Sequence, residues 1–177
     1  MNYFLLLVFS CLFCFSQDAS DNLKNKTFSA KVIGISDGDT MEILFRNKPI
    51  KIRLAHIDAP EKKGTQPFGD NSKKALSDLC FGKVVTVQSE KYDRYKRLIA
   101  VIVNDKNKNV NKEMLRLGMA WHYKKYSNNA EYAQLENLAR KNRVGLWQDQ
   151  NAIAPWLWRE NKKNESKYYK SIAFRHR

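Results

Sequence analysis

Residues that could bind a metal ion and a phosphate are concentrated between Asp37 and Glu61. Asp39 lies in an Asp-Gly-Asp-Thr motif, and a second carboxylate, Asp58, precedes Glu61 in an Ile-Asp-Ala-Pro-Glu motif. Arg53 lies between the two motifs. Carboxylate oxygens are the ligands that hard cations such as Ca²⁺ prefer, and a guanidinium can hold a phosphate through two parallel hydrogen bonds. The residue types therefore predict a hard-cation site built to hold a phosphate.

A β-hairpin is the element that we expect to position these side chains. Apolar residues alternate on both sides of a turn-forming segment, 46–49, which is typical of two strands with one buried face. With the turn centred in that segment, Asp39 and Asp58 fall opposite each other at the open end, and Arg53 projects from the outer face. An Asp-Gly-Asp motif alone is more typical of a hairpin turn. The acids on the partner strand are what favour a metal site.

The charge of the whole chain indicates a polyanionic partner. Its 177 residues are enough for one domain with a hydrophobic core, and they include 32 Lys and Arg against 18 Asp and Glu, a net charge of +14. Such an excess predicts attraction to nucleic acid or to anionic membrane surfaces. There is no cluster of His and Cys with the spacing of a zinc site.

The first sixteen residues differ from the rest of the chain. Residues 1–15 are almost wholly apolar, too few to span a bilayer, and are followed by a small residue, Ser16, that suits cleavage. We therefore expect a signal peptide over 1–16 and a secreted or periplasmic protein. The alternative is a lipoprotein signal, with the membrane anchor attached to Cys11. Cys80 is then the one cysteine of the mature chain, which leaves no internal disulfide, and we expect it to be a buried small hydrophobe.

The remaining pattern predicts a small barrel with helices. Strands are expected at 28–35, 41–45, 50–57, 84–87 and 98–103, and helices at 70–80, 110–117 and 129–142. Five short strands with a helix between the third and the fourth follow the order of an OB-fold. The predicted fold class is α+β, a five-stranded Greek-key β-barrel with three flanking helices over 27–158. Residues 159–177 are basic with little periodicity, and we expect them to form a mobile tail.

Three motifs together make the chain similar to the staphylococcal nuclease (thermonuclease) family. They are Asp-Gly-Asp-Thr at 37–40, Arg-Leu-Ala-His-Ile-Asp-Ala-Pro-Glu at 53–61 and Asp-Arg-Tyr-Lys-Arg at 93–97. Gly-Met-Ala-Trp at 118–121 and Gly-Leu-Trp at 145–147 resemble its C-terminal landmarks. The resemblance covers about residues 28–150.

This resemblance implies a calcium-dependent phosphodiesterase that cuts both DNA and RNA and leaves 3′-phosphate ends. We expect a monomer with a preference for single-stranded or frayed regions. Carried over by position, Asp39 and Asp58 would be the carboxylate ligands of Ca²⁺, and the backbone carbonyl of Ala59 would complete the protein ligands. Asp37 would lie behind them and orient them.

The resemblance also assigns the reacting groups. Glu61 would be the general base that activates the attacking water, and Arg53 and Arg97 would clamp the phosphate. Lys96 departs from the pattern, because the family usually has glycine just before Arg97. The nucleotide pocket would be lined by tyrosines, at Tyr95, Tyr123 or Tyr126.

Two alternatives stay open at this point. The first is a non-catalytic OB-fold protein that binds nucleic acid. Loss of site residues would favour it, but all five are present here: Asp39, Arg53, Asp58, Glu61 and Arg97. The second is a basic surface protein that binds anionic membranes or cell walls through residues 160–177. The nuclease hypothesis predicts that the acids are essential, whereas the second alternative predicts that only the basic segment is.

Overall fold

The structure is a computed structural model that describes residues 22–63 and 65–175, with side chains described through residue 167. The expected signal peptide over 1–16 and the lipid-attachment alternative at Cys11 lie outside the described residues. Within them, no helix is long and apolar enough to cross a membrane.

Seven strands and four α-helices make up most of the described chain. Their order is β1 (Thr27–Asp37), β2 (Thr40–Phe45), β3 (Lys48–Leu54), β4 (Ile57–Asp58), α1 (Gly69–Cys80), β5 (Val84–Tyr92), β6 (Leu98–Val103), α2 (Val110–Arg116), β7 (Trp121–His122), α3 (Ala130–Lys141) and α4 (Pro155–Arg175). A 3-10 helix spans Gly145–Gln148 between α3 and α4.

Five strands close into a barrel in the order β1-β2-β3-β6-β5. The β3–β6 pair is parallel and the other pairs are antiparallel. The short strands β4 and β7 form a second, two-stranded sheet. The predicted α+β fold with a five-stranded OB-like barrel is confirmed, with four α-helices in the described chain instead of the three expected.

Alternating apolar side chains fill the barrel. Those with no more than 2% exposure include Met41, Ile43, Ile52, Leu54, Leu98, Ala100 and Ile102 from β2, β3 and β6. Each large apolar side chain buried in this way stabilises the fold by about 1.5–3 kcal/mol. Cys80 is fully buried in the same core, and burial raises the pKa of its thiol to about 12, so it is an inert hydrophobe as predicted.

The hairpin register differs from the one that the sequence predicted. The turn lies at Arg46 and Asn47, which both have positive φ (48° and 60°) as in a type I′ turn. β3 ends at Leu54, whose N–H donates to the carbonyl of Asp39 at 2.8 Å, so Leu54 and not Asp58 lies opposite Asp39. Asp58 lies in β4, which pairs with β7. No proline or glycine marks the boundary between β3 and β4, so the local sequence does not reveal it.

The C-terminal segment also differs from expectation. Residues 159–175 belong to α4, which begins at Pro155, whereas we expected a tail with little regular structure. Proline suits the first position of a helix because its missing N–H would have no partner there. Residues 159–167 are all polar or charged, and for this reason their pattern shows no apolar period that would predict a helix.

Two glycines hold α2 and α3 together. Gly118 and Gly145 have φ of 60° and 59°, and a Cβ on either would collide with backbone at the other's position. The N–H of Leu146 donates to the carbonyl of Gly118 at 2.9 Å. Only glycine tolerates this contact and this conformation together, which gives the two C-terminal landmark motifs a structural role.

Candidate active site

One guanidinium joins two of the predicted metal-binding carboxylates. Arg53 lies opposite Thr40 in the β2–β3 ladder, and this pairing puts its side chain next to Asp39. Its Nη1 contacts Asp39 Oδ2, and its Nη2 donates to Asp58 Oδ1 at 2.7 Å. Asp39 is 6% exposed and Asp58 is fully buried. Arg53 projects from the face opposite that of the core residues Ile52 and Leu54, but its side chain is only 11% exposed there. It brings Asp39 and Asp58 into one cluster.

Backbone groups fix the two carboxylates. Asp39 Oδ2 accepts a hydrogen bond from the N–H of Ala59 at 2.7 Å, and Oδ1 accepts one from Thr40 Oγ1 at 2.9 Å. The pairing of Asp58 with Trp121, between β4 and β7, holds the second carboxylate in place. The backbone of Ala59 is thereby next to both acids, where the resemblance put a carbonyl ligand. Asp37, at the end of β1, pairs with Thr40 and so lies close to Asp39.

The segment that carries Glu61 is tied to the start of α4. The N–H of Glu61 donates to Gln66 Oε1 at 3.0 Å, and Gln66 Nε2 donates to the carbonyl of Ile153 at 2.8 Å. Gln66 is 5% exposed, so this bridge is protected from water. It fixes where the chain enters α4 relative to Glu61.

Arg159, in the first turns of α4, is a site residue that the sequence did not predict. Its Nη2 donates to Asp58 Oδ2 at 2.6 Å, its Nη1 lies 3.3 Å from Asp58 Oδ1, and the same Nη1 donates to Glu61 Oε1. Burial alone would lower the pKa of Arg159, but hydrogen bonds to Asp58 and Glu61 and their charges raise it above its usual value. The signal that could have found it is Pro155, which marks a helix start four residues earlier.

Two further guanidiniums, those of Arg97 and Arg159, act on Arg53 by their charge. Burial lowers the pKa of Arg53, the charge of Asp58 opposes this shift, and the charges of Arg97 and Arg159 add to it. Arg97 and Arg159 are therefore both near enough to Arg53 to repel it. Neighbouring guanidiniums repel one another, and carboxylates offset this repulsion here: Asp39 and Asp58 contact Arg53, Asp58 also contacts Arg159, and Asp93 contacts Arg97.

Asp93 holds Arg97 in its loop. Arg97 Nε and Nη2 lie 2.8 and 2.7 Å from Asp93 Oδ2, and Asp93 Oδ1 accepts from the N–H groups of Tyr95 and Arg97 at 2.9 Å each. Burial alone would raise the pKa of Asp93, but these bonds and the charge of Arg97 outweigh it and lower the pKa. Lys96 has φ of 61°, a conformation that favours glycine. At this departure from the family pattern, Lys96 therefore adopts a backbone conformation that glycine would take without strain.

The three predicted tyrosines differ in how near they lie to the acids. Burial raises the pKa of Tyr123, and the nearby charge of Asp58 adds to this shift. Tyr126 contacts the Tyr123 ring edge-on at 4.9 Å, and Trp156 stacks on that ring at 5.4 Å with an interplanar angle of 8°. Tyr95 is 64% exposed in the Arg97 loop, with that guanidinium 5.5 Å from its ring centre.

A cavity of about 520 Å³ opens on the other side of Tyr123, between β7, α3 and α4. Its lining combines aromatic rings with cations and includes Trp121, Lys124, Arg140 and Trp156. Base stacking on aromatic rings and phosphate binding by cations are the two parts of single-strand recognition.

The residues present fit a hard cation. Asp39 and Asp58 offer carboxylate oxygens beside a backbone carbonyl, and Ca²⁺ completes its six to eight ligands with water or phosphate oxygens. The Arg159 guanidinium spans both oxygens of Asp58, which indicates that this carboxylate faces a position where a cation is stable. In the described chain no three His, Cys, Asp or Glu side chains are grouped so that they could hold a metal ion.

Comparisons with known proteins identify the family. The family model described as staphylococcal nuclease homologue matches residues 51–149. A Haemophilus influenzae protein named an uncharacterized endonuclease is 46% identical over 160 residues, 90% of this chain and 84% of that protein. A micrococcal nuclease of Shigella flexneri is 39% identical over 147 residues, 77% of this chain and 83% of that protein. The staphylococcal-like nuclease CAN1 of Arabidopsis thaliana is 42% identical over 66% of this chain and 35% of that protein.

The chain belongs to the staphylococcal nuclease family, as the resemblance predicted. The match over 51–149 includes the Asp58 to Glu61 segment and the Arg97 loop, whereas α4 and Arg159 lie beyond it. Membership of this family supports nuclease activity.

Proposed function

We propose that the chain is a calcium-dependent nuclease that hydrolyses phosphodiester bonds in both DNA and RNA and leaves 3′-phosphate ends. The observation that carries this proposal is the Arg53 guanidinium, which joins Asp39 and Asp58 beside Glu61. The cluster combines oxygen ligands for a hard cation, cations for a phosphate and a carboxylate that can take a proton. Family membership supports the same activity.

Glu61 is the proposed general base. It takes a proton from a water molecule whose oxygen forms a bond to phosphorus, while the bond from phosphorus to the 5′-oxygen breaks. The leaving oxygen takes up a proton and departs as a 5′-hydroxyl, and the phosphate remains on the 3′ side. Ca²⁺, when bound near Asp39 and Asp58, supplies charge neutralisation at the phosphate.

Arg53 and Arg97 are the proposed phosphate clamp. A guanidinium has five N–H donors, so each arginine can contact a carboxylate and still donate to a non-bridging phosphate oxygen. Preorganised donors of this kind stabilise the charge that develops in the transition state. The bonds from Asp93 keep the Arg97 guanidinium oriented before substrate arrives.

The proposed substrate is single-stranded or frayed nucleic acid, bound by a monomer. Contacts to phosphate carry no information on sequence or sugar, which accounts for cleavage of both DNA and RNA. Tyr95, Tyr123 and Tyr126 are the proposed stacking surfaces, and stacking requires bases that are not paired. We further propose a secreted or periplasmic location through a signal peptide at 1–16, or a lipid anchor at Cys11.

The test is degradation of single-stranded DNA by the purified mature chain, with Ca²⁺ and with a chelator. Glu61→Ala and Arg97→Ala are each expected to lower kcat by about 10²–10³-fold, because each removes a group that acts in the transition state. Glu131→Ala and Arg116→Ala serve as controls on helices α3 and α2 and should keep full activity.

The alternative function is non-catalytic binding of nucleic acid by the OB-like barrel. Tight binding with no cleavage under any divalent metal would establish that alternative and overturn the nuclease. Cleavage that persists in the chelator would instead overturn the calcium dependence.

A further inference from the structure

We propose that Arg159 is a third phosphate-binding residue of this site. Its guanidinium contacts Asp58 and Glu61 until a divalent cation takes its place on these acids. The assignment depends on the proposed nuclease function only for the identity of the site. Arg159 comes from α4, beyond the segment that the family model matches.

The formal charges of the cluster support this role. Among the groups joined by direct ion pairs, Asp39, Asp58 and Glu61 bring three negative charges, and Arg53 and Arg159 bring two positive ones. Arg97 is paired with Asp93, so that pair adds no net charge. A divalent cation therefore changes the net charge from one negative to one positive, which matches the single negative charge of a phosphodiester. Without Arg159 the same cluster would be neutral with the cation bound, and its attraction for phosphate would be weaker.

The contacts of Arg159 are those that a bound cation would disturb. Its guanidinium uses both oxygens of Asp58 and one of Glu61, so a cation on Asp58 competes for the same lone pairs and repels it at short range. Its side chain is 41% exposed and can rotate away from the acids. Release would also free the Glu61 carboxylate from its ion pair with Arg159.

The start of α4 keeps the released side chain close to the site. Trp156 stacks on Tyr123 at 5.4 Å, and Ala154 is buried in a cluster with Trp121 and Trp147. The backbone of Arg159 is thereby fixed beside Asp58, and a rotation of its side chain leaves the guanidinium within reach of a phosphate held by Arg53. Cation and substrate binding are then coupled, each favouring the other.

The experiment compares Arg159→Ala with Lys162→Ala, a control one turn further along α4. Isothermal titration with Ca²⁺ alone, without nucleic acid, should show about fivefold tighter binding in Arg159→Ala, because the competing cation is gone. A fluorescent single-stranded DNA oligomer, titrated with Ca²⁺ present in a Glu61→Gln background, should bind roughly tenfold more weakly when Arg159→Ala is added. Lys162→Ala should leave the Ca²⁺ affinity unchanged and should weaken DNA binding far less than Arg159→Ala does.

The proposal thus predicts that Arg159→Ala changes the two affinities in opposite directions, with tighter binding of Ca²⁺ and weaker binding of DNA. Unchanged Ca²⁺ affinity would overturn the resting contact, and DNA binding that stays the same or tightens would overturn the phosphate contact. Arg159→Lys, which keeps the charge and loses the two-pronged bond to Asp58, should fall between wild type and Arg159→Ala in both titrations. Because neither titration measures cleavage, an inactive wild-type chain would overturn the nuclease without deciding the role of Arg159.

Discussion

Asp58 is the residue on which the charge balance of the site depends. It is fully buried and holds the guanidiniums of Arg53 and Arg159. Asp58→Asn keeps the shape but leaves the buried Arg53 guanidinium without one of its two carboxylates, so we expect a loss of about 3 kcal/mol in the free energy of unfolding. Urea unfolding measures it.

Asp78→Asn is the matched control for this prediction. Asp78 forms an exposed i,i+4 ion pair with Lys74 on α1, and loss of such a pair costs about 0.5 kcal/mol. Equal losses in the two variants would mean that the Asp58 cluster contributes no more than a surface pair.

His122 makes the stability of the fold depend on pH. Its Nε2 bonds to Ser127 Oγ at 3.0 Å, and burial is the main cause that lowers its pKa, with Glu136 opposing. The folded state thus binds fewer protons than the unfolded state, in which a histidine pKa is about 6.5. The stabilisation is present above that pH and is lost as the pH falls through the lowered pKa.

The measurement is urea unfolding of wild type and His122→Gln at pH 7.5 and 5.5. Wild type should lose more stability between these two values than His122→Gln does, since glutamine does not titrate. An identical loss in both proteins would contradict the assignment of this pH dependence to His122.

The start of α4 is the element that joins the acids to the cavity. Trp156 stacks on Tyr123 and contacts Trp121 edge-on at 5.6 Å, so it forms a wall of the cavity. Trp156→Ala should weaken binding of single-stranded DNA by about 1–3 kcal/mol if bases stack there. Fluorescence anisotropy measures this binding. Leu157→Ala, on an exposed neighbour, is the control and should change little.

How much the sequence could predict follows from the range of each interaction. The barrel strands and α1 to α3 are predictable because each carries its own apolar period. The acids and Arg53 are predictable because they lie in short motifs. The residue that lies opposite Asp39 could not be predicted, because it depends on where β3 ends its pairing with the parallel strand β6. The role of Arg159 could not be predicted either, because its contacts join segments about a hundred residues apart and no motif surrounds it in the sequence.

At the scale of the whole molecule, the net charge of +14 predicts binding to nucleic acid that weakens steeply with salt. Each phosphate contact releases condensed counterions, so the logarithm of affinity falls with the logarithm of salt concentration, by about 0.7 per contact for single strands. The segment 162–177 holds many of the C-terminal cations but none of the predicted site residues.

Truncation after residue 161 separates steering by charge from the site itself. We expect the truncated chain to keep kcat, because Arg159 and the acids remain, and to bind single-stranded DNA with lower affinity and a smaller salt slope. The measurements are kcat and the affinity for single-stranded DNA at salt concentrations between about 50 and 200 mM, from which the salt slope follows. If the slope and affinity stay at their full-length values, the basic segment contributes nothing to nucleic-acid binding. Loss of kcat would instead mean that the rest of α4 is needed to hold Arg159 on the acids.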